Sequence, residues 1–513
     1  MSHLTRRALV AALLATAVAV AVVVAALVLG ARTPGPAPTR PTPGSVATGA
    51  VDAQVTPGAG SPVTVPGSFL GVSTEYWTIP VWARQPGLLR RVLAMLAQGG
   101  PIRLRIGGDS ADRVQWAPTR ELPEWVFELS GSWLRKTSQI VSQTGVKLIL
   151  DLNLVTSTPA LAAHWAQIAV RNLPPGSITA FEIGNEPDIY SQRAWQQITA
   201  GPGVPALPSR ITATSYARSF ASYAKALAKV APGVPLLAPA LAEPQTNSGW
   251  VTKLLQAPHP GLAGITAHRY PYSACAKRGA RTFPTIARVL SENATVGIGR
   301  TAKTLEHITD RARLPLWLTE INSVTCGGTR GVSNTFATAL WAPDALFELV
   351  RAGVESTSVH VRADAINMAF SLTPTGLVAY PLFYGMVLFT KTLGPGAQLI
   401  PLHLAAPAAL HLKAWAVRLS SGRMHILLID KGDRPARVRL QLPFTGTATV
   451  ERLTAPRVAS TGHVTLGNQH LTPHATWAGT PRVETIAPTP NGYRITVARY
   501  SAALVTAQLR PGS

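Results

Sequence analysis

The chain has 513 residues, 46% apolar and 14% charged, which excludes an intrinsically disordered protein and exceeds the size of one ordinary domain. Lysine and arginine number 47 against 24 aspartates and glutamates, a formal charge of +23 that favours anionic partners. No dense Lys/Arg run with interleaved aromatics occurs, so nucleic acid is set aside as a partner.

The first element is a targeting segment. Ala8 to Ala31 carries no charge and follows Arg6 and Arg7. At ~1.5 Å per residue it is long enough for the ~30 Å hydrocarbon core of a bilayer. Residues 1–32 therefore read as a signal peptide or an uncleaved membrane anchor, and both export the rest of the chain. Pro and Gly crowd residues 33–66, which read as a linker, with Ser61 to Pro66 able to add a strand to a later domain.

Between residues 67 and 394 apolar strand-like runs alternate with amphipathic stretches. The runs are Phe69–Val72, Ile102–Ile106, Val146–Leu152, Ile178–Ile183, Pro235–Ala240, Gly264–Ala267, Leu316–Leu318 and Thr357–Val361. The helical stretches include Leu88–Ala97, Trp133–Ser142, Leu161–Val170, Tyr216–Val230, Ile286–Leu290, Thr335–Val350 and Tyr380–Leu393. Eight strands alternating with helices predict an α/β fold, the (β/α)8 or TIM barrel. From 395 to 513 the pattern changes to short alternating runs with turns such as Lys431-Gly432-Asp433, which predicts an antiparallel β-sandwich.

Two glutamates close apolar runs: Glu186 in Phe181-Glu182-Ile183-Gly184-Asn185-Glu186-Pro187, and Glu320 in Trp317-Leu318-Thr319-Glu320-Ile321-Asn322. On the strand count they end strands four and seven. Barrel enzymes keep their chemistry at those strand ends. Two carboxylates there, roughly 5 Å apart, suit retaining glycoside cleavage, one as proton donor and one as nucleophile.

Only two cysteines occur, Cys275 and Cys326. In an exported chain an even pair reads as one disulfide, against two buried thiols or a metal site, and the latter lacks partners at ligand spacing. Cys275 lies seven residues past His268 and Cys326 six past Glu320, so the pair stands at matching heights above strands ~4.8 Å apart.

The sequence also resembles glycoside hydrolase family 79, the β-glucuronidase and heparanase family of clan A, from about residue 67 onward. The residues that carry the resemblance are Leu104-Arg105-Ile106-Gly107-Gly108-Asp109-Ser110-Ala111-Asp112, Asn185-Glu186-Pro187, His268-Arg269-Tyr270-Pro271, and Thr319-Glu320 through Cys326-Gly327-Gly328 with Gly331-Val332-Ser333. The Asn-Glu-Pro triplet specifies the clan, and the Cys-Gly-Gly loop after the second glutamate is more particular to the family.

The resemblance implies Glu186 as acid/base, Glu320 as nucleophile and Asn185 on the sugar 2-hydroxyl. It implies Arg105 pairing with Glu320, a choice over Arg103 that periodicity alone leaves open, and Tyr270 donating to Glu320 with His268 as a wall. Glu75 is a candidate acceptor for sugar hydroxyls, and the role of Asp109 stays open, since several relatives carry Asn there. A glucuronate carboxylate would meet backbone N–H groups of Gly327 and Gly328, as glycine-rich anion nests do. His360 is a candidate for further positive charge, whereas Arg362 is read as a solvated surface side chain.

The expectation is a secreted or membrane-anchored exo-β-glucuronidase acting on a uronic-acid glycoside with no cofactor or metal. The alternatives are a heparanase-like endo-β-glucuronidase on acidic polysaccharide, or a non-catalytic cell-surface sugar-binding protein.

Overall fold

A computed structural model describes residues 49–116, 126–192, 195 and 211–510. The Ala8 to Ala31 segment lies outside the described residues. Among the described residues no helix is long and apolar enough to cross a membrane.

The eight apolar runs form eight parallel strands: β1 (Leu70–Glu75), β2 (Arg103–Gly107), β3 (Lys147–Leu152), β4 (Ile178–Ile183), β5 (Leu236–Leu241), β6 (Leu262–Arg269), β7 (Leu316–Ile321) and β8 (Ser356–His360). Each pairs with its sequence neighbours, and β8 pairs with β1, so the sheet closes into a barrel. The strands read as continuous apolar runs because side chains fill the interior and helices cover the outside. All six residues of β1 and of β5 are buried.

The helices begin where the sequence supplies caps. Ser130 accepts from the Trp133 N–H ahead of Gly131–Thr144, and Thr158 accepts from Leu161 ahead of Pro159–Asn172. Thr212 and Ser215 form a reciprocal capping box ahead of Ala213–Val230. The helix after β6 corrects the sequence reading. Ile286–Val289 is a single turn, and the covering helix is Val296–Arg311. Its buried positions Ile298, Ala302, Leu305 and Thr309 keep helical spacing but include few large apolar residues. Gly299 lets it approach Glu348 of the next helix, since an added Cβ would come within 3.2 Å. A further helix between β5 and β6, Gly249–Gln256, was not expected.

Two antiparallel-rich sheets build the β-sandwich. The larger orders Val63–Thr64, Gln398–Ile400, Leu412–Arg418, Arg423–Asp430, Ser501–Leu509, Phe444–Thr454 and Thr465–Leu466, with Glu484–Ile486 beside Phe444–Thr454. Val63 and Thr64 pair with Leu399 and Gln398, the strand expected at the end of the Pro/Gly-rich stretch. The smaller sheet orders Leu402–Ala405, Val51–Pro57, Ala436–Leu440 and Tyr493–Val497. Its strand Val51–Pro57 corrects the reading of residues 33–66 as linker. There Ala53 and Val55 alternate inward and join the core between the sheets, a pattern too short to stand out among glycines and prolines.

The helix Phe336–Arg351 lies between barrel and sandwich, and every residue in it except Arg351 is buried. Its Asp344 accepts from Trp415 Nε1 at 3.0 Å and from Lys431 Nζ at 2.7 Å, both on sandwich strands or their turns. One apolar cluster runs from the barrel through this helix to Trp415, Leu427 and Leu504.

Candidate active site

Arg105, fully buried on β2, is the hub beneath the site. Its Nε donates to Glu182 Oε2 at 2.6 Å, Nη1 to Glu320 Oε2 at 2.9 Å and to Ser73 Oγ at 3.3 Å, and Nη2 to Asp151 Oδ2 at 2.8 Å and Asn185 Oδ1 at 3.0 Å. All five donors of the guanidinium are thereby engaged. Burial alone would weaken its charge, but Glu182, Asp151 and Glu320 outweigh it and raise its pKa. Arg103 is used elsewhere: it donates to the Ser68 carbonyl and lies over the Trp317 ring.

Glu182 and Asp151 were not foreseen. Each is a carboxylate inside an apolar strand run, Phe181-Glu182-Ile183 and Leu150-Asp151-Leu152, and that interruption is the signal that marks them. A carboxylate in a barrel interior must be paired or protonated. Glu182 accepts from both Arg105 and Thr319 Oγ1, whereas burial pushes Asp151 well above the carboxylate range against the pull of Arg105.

Glu320 sits near the end of β7. Its Oε1 accepts from the Tyr270 hydroxyl at 2.5 Å, and its Oε2 meets Arg105 Nη1 and, at 3.2 Å, His360 Nδ1. Burial acts to raise its pKa, but the charges of His360 and Arg105 prevail and hold it well below the ordinary range.

Glu186 lies just past β4, with its backbone in the left-handed region at φ 56 and ψ 49. Its Oε1 is 2.9 Å from His268 Nδ1. A register shift at Ala267/His268 pairs His268 with Glu320 and brings it level with both glutamates. Burial, then Glu320, Asp109 and Asp188, push the Glu186 carboxyl well above the ordinary range. Burial also lowers His268 to about 4, so a neutral imidazole faces a protonated acid. Asn185, also buried, is fixed through its Oδ1 by Arg105, which leaves Nδ2 as its donating end.

One oxygen each of Glu186 and Glu320 and a ring nitrogen of His268 lie within 4.8 Å of one another. The donor chemistry does not fit a resident cation. Both Glu320 oxygens already accept hydrogen bonds, and one of the donors is a guanidinium that would repel a metal ion.

The remaining candidates line the same mouth. Glu75 is buried: Oε2 accepts from the Ser110 N–H at 2.8 Å, and Oε1 lies 3.7 Å from His360 Nε2. Burial disfavours the charged form of His360, but Glu320 and Glu75 outweigh it and raise its pKa. The packed cleft around Asp109, then Glu75 and Glu320, push its carboxyl up to about 6, although the side chain itself reaches solvent.

The glycine loop departs from expectation in one respect. Gly327 and Gly328 have φ 74 and 86, conformations that favour glycine. The Gly328 N–H, however, closes a turn onto the Thr325 carbonyl at 3.2 Å, so it is not directed at a ligand. Arg362 is the second correction. Its Nη1 is 3.9 Å from Glu75 Oε1, and its Nη2 would lie 3.1 Å from a Cβ placed on Gly327, so the cation borders the loop at the mouth.

Cys275 and Cys326 form a disulfide with Cα atoms 5.9 Å apart. Short strands Tyr272–Ser273 and Val324–Thr325 pair in parallel just beyond β6 and β7, bringing the two cysteines level. A disulfide fits an oxidising, extracytoplasmic setting. A cavity of about 680 Å³ opens elsewhere, under the sandwich edge between Leu399 and Trp415, and none of these site residues lines it.

No family model and no curated protein sequence matches the chain. Its structure is similar to a 4-O-alpha-L-rhamnosyl-beta-D-glucuronidase from Fusarium oxysporum 12S, with TM-score 0.70 and 19% identity over 89% of this chain and 100% of that one. It is also similar to the GH51 arabinofuranosidase from Xanthomonas axonopodis pv. citri, with TM-score 0.65 and 15% identity over 89% and 100% of the two chains. For the alpha-L-arabinofuranosidase from Thermotoga maritima the values are 0.63 and 17% over 90% and 100%. The likeness is one of fold. A TIM barrel with an attached β-sandwich is the architecture these glycosidases share with this chain.

Proposed function

We propose that this chain is a retaining exo-β-glucuronidase of the family 79 kind, removing terminal β-linked glucuronic acid. The observation that carries the reading is the approach of Glu186 and Glu320 to within 4.8 Å, oxygen to oxygen, with their protonation pushed in opposite directions. Retaining enzymes keep their carboxyl groups about 5–5.5 Å apart, against about 6.5–9.5 Å for inverting ones. Two carboxyls of opposed pKa are also the means by which one site runs acid and nucleophile together.

In this reading a Glu320 oxygen attacks the anomeric carbon while Glu186 gives its proton to the departing glycosidic oxygen. The product is a glycosyl ester on Glu320. Glu186, now ionised, takes a proton from water, which attacks the same carbon and releases the sugar with its configuration retained. Arg105 and His360 hold Glu320 ionised, and the Asn185 Nδ2 would meet the 2-hydroxyl. Glucuronate specificity rests on the Gly327 N–H and the Arg362 guanidinium, which border the same mouth. The name of the Fusarium neighbour, a glucuronidase, agrees with it.

The test is turnover of purified protein on aryl β-glycosides of glucuronic acid, glucose and galactose. Preferential cleavage of the glucuronide is expected, and equal cleavage of the glucoside removes the carboxylate reader. The heparanase-like alternative is favoured by one observation. Lys277, Arg278 and Arg281 are exposed on the loop tied by the disulfide to the chain just before exposed Arg330, where an acidic polymer would pass. Mid-chain scission of an acidic polysaccharide, read by product length, distinguishes it.

A further inference from the structure

Asp112 lies outside the pair of glutamates and takes no part in the chemistry above, yet it is fully buried against the loop that carries Glu186. It sits on the short helical turn Gly108–Arg113 that follows β2. Its Oδ1 accepts from the Leu154 N–H at 2.9 Å, in the loop after β3. Its Oδ2 accepts from the Asn185 N–H at 3.2 Å and from the Tyr190 hydroxyl, both in the loop after β4. One carboxylate thus ties three consecutive βα loops together, and its bond to Asn185 falls on the residue preceding Glu186.

That bond matters because the Glu186 backbone is in a conformation L-residues avoid. A left-handed residue persists only where its surroundings over-determine it. Here the turn is held from both sides, by the Glu186 N–H on the Ala240 carbonyl at 3.0 Å and by Asp112 on Asn185. Gly184 is pressed into the same corner: a Cβ there would lie 2.8 Å from Leu154 and 3.1 Å from the Tyr190 hydroxyl.

We propose that Asp112 is a positioning residue that sets the working pose of Glu186, acting through the Asn185 amide, while the Asn185 side chain is fixed separately by Arg105. The inference rests on the assignment of Glu186 as acid/base. An asparagine at 112 cannot replace the aspartate. Its NH2 group would face either the Leu154 N–H or the Asn185 N–H, neither of which can turn to accept.

The test is kcat/KM of wild type and Asp112→Asn on phenyl and 2,4-dinitrophenyl β-glucuronides, since kcat/KM reports only the first, bond-breaking step. Phenol needs the Glu186 proton to depart and dinitrophenol does not. The variant should lose about 100-fold on the phenyl substrate and less than about 3-fold on the dinitrophenyl one, the scale of general acid catalysis. An equal loss on both would mean a merely structural role and would overturn the proposal. Wild-type protein labelled at Asn185 gives a reading that needs neither a folded variant nor turnover. The Asn185 amide proton should resonate downfield, as one bonded to a carboxylate, and a solvent-like shift refutes the contact. Should wild type cleave no aryl glycoside, the functional reading falls, while the amide measurement still decides whether Asp112 holds this turn.

Discussion

The Tyr270 hydroxyl donates to Oε1 of Glu320 over 2.5 Å, while Arg105 holds the other oxygen, Oε2. The carboxylate therefore presents a fixed orientation, with one oxygen under a neutral donor and the other under a cation. A hydrogen bond to a charged group is worth about 1.5–3 kcal/mol. Tyr270→Phe should lower kcat on aryl glucuronide by about 10- to 100-fold, with a smaller effect on KM. A kcat within about 2-fold of wild type would show that Arg105 and His360 orient Glu320 without it.

The opposed pKa directions set the pH profile. Glu320 is held below the ordinary carboxylate range, so its protonation cuts activity only on the far acid side. Glu186 is raised, so its proton is lost, and activity with it, on the alkaline side of that range. A plateau between the two limbs of kcat/KM is expected. The alkaline limb should appear in wild type with the phenyl glucuronide and be absent with the dinitrophenyl one, in wild type as in Glu186→Gln, and a limb that survives there belongs to another residue.

Azide separates the two glutamates. Glu186→Ala supplied with azide should form the β-glycosyl azide, because Glu320 still builds the ester that azide then opens. Glu320→Ala with azide should yield only the inverted α-azide. The same anomer from both variants, read by proton NMR, would exclude the double displacement.

The disulfide should matter for stability and binding together. Cys275 and Cys326 are 51 residues apart, and closing such a loop in the unfolded chain is worth about 4 kcal/mol in the entropy model. Cys275→Ser should lower the Tm and raise KM, since the bond tethers the Gly327 loop against the site. Unchanged Tm and KM would dissociate the bond from both roles.

Arg362 offers a discrimination test. It borders Gly327 but is one-third exposed, so its contribution is screened. Arg362→Ala should reduce kcat/KM for the glucuronide by about 3- to 10-fold and leave the glucoside unchanged, bringing the two closer. A parallel fall on both sugars would point to lost support for Glu75 instead.

At the domain interface, Lys431 and Asp344 form a buried pair at 2.7 Å with neither side chain exposed. Removing one partner of a buried pair strands the other, at about 3–5 kcal/mol. Lys431→Ala should therefore lower stability by that order in a denaturant titration, and an unchanged transition would show that Trp415 and Lys413 satisfy Asp344 without it.

The eight barrel strands, the sandwich and the strand-end positions of Glu186 and Glu320 were legible in the sequence because each depends on local pattern. An apolar run of strand length, bounded by turn residues, reports burial on both faces, and a carboxylate closing such a run is conspicuous. The helix Val296–Arg311 was missed since its buried face uses Gly299, Ala302 and Thr309, small residues chosen for close approach to a neighbour and not for hydropathy. Val51–Pro57 was missed because its partners, Leu402–Ala405 and Ala436–Leu440, lie more than 340 residues away. Tertiary structure alone decided that Arg105 adds Asp151 of β3, Glu182 of β4 and Asn185 just past β4 to its expected partner Glu320, that the Gly328 N–H is consumed in a turn, and that Arg362 stands at the mouth. These are properties of closure. A parallel barrel brings the ends of all its strands to one face, and which side chains then meet depends on register and bulges, such as the shift at His268, that leave no local mark on the chain.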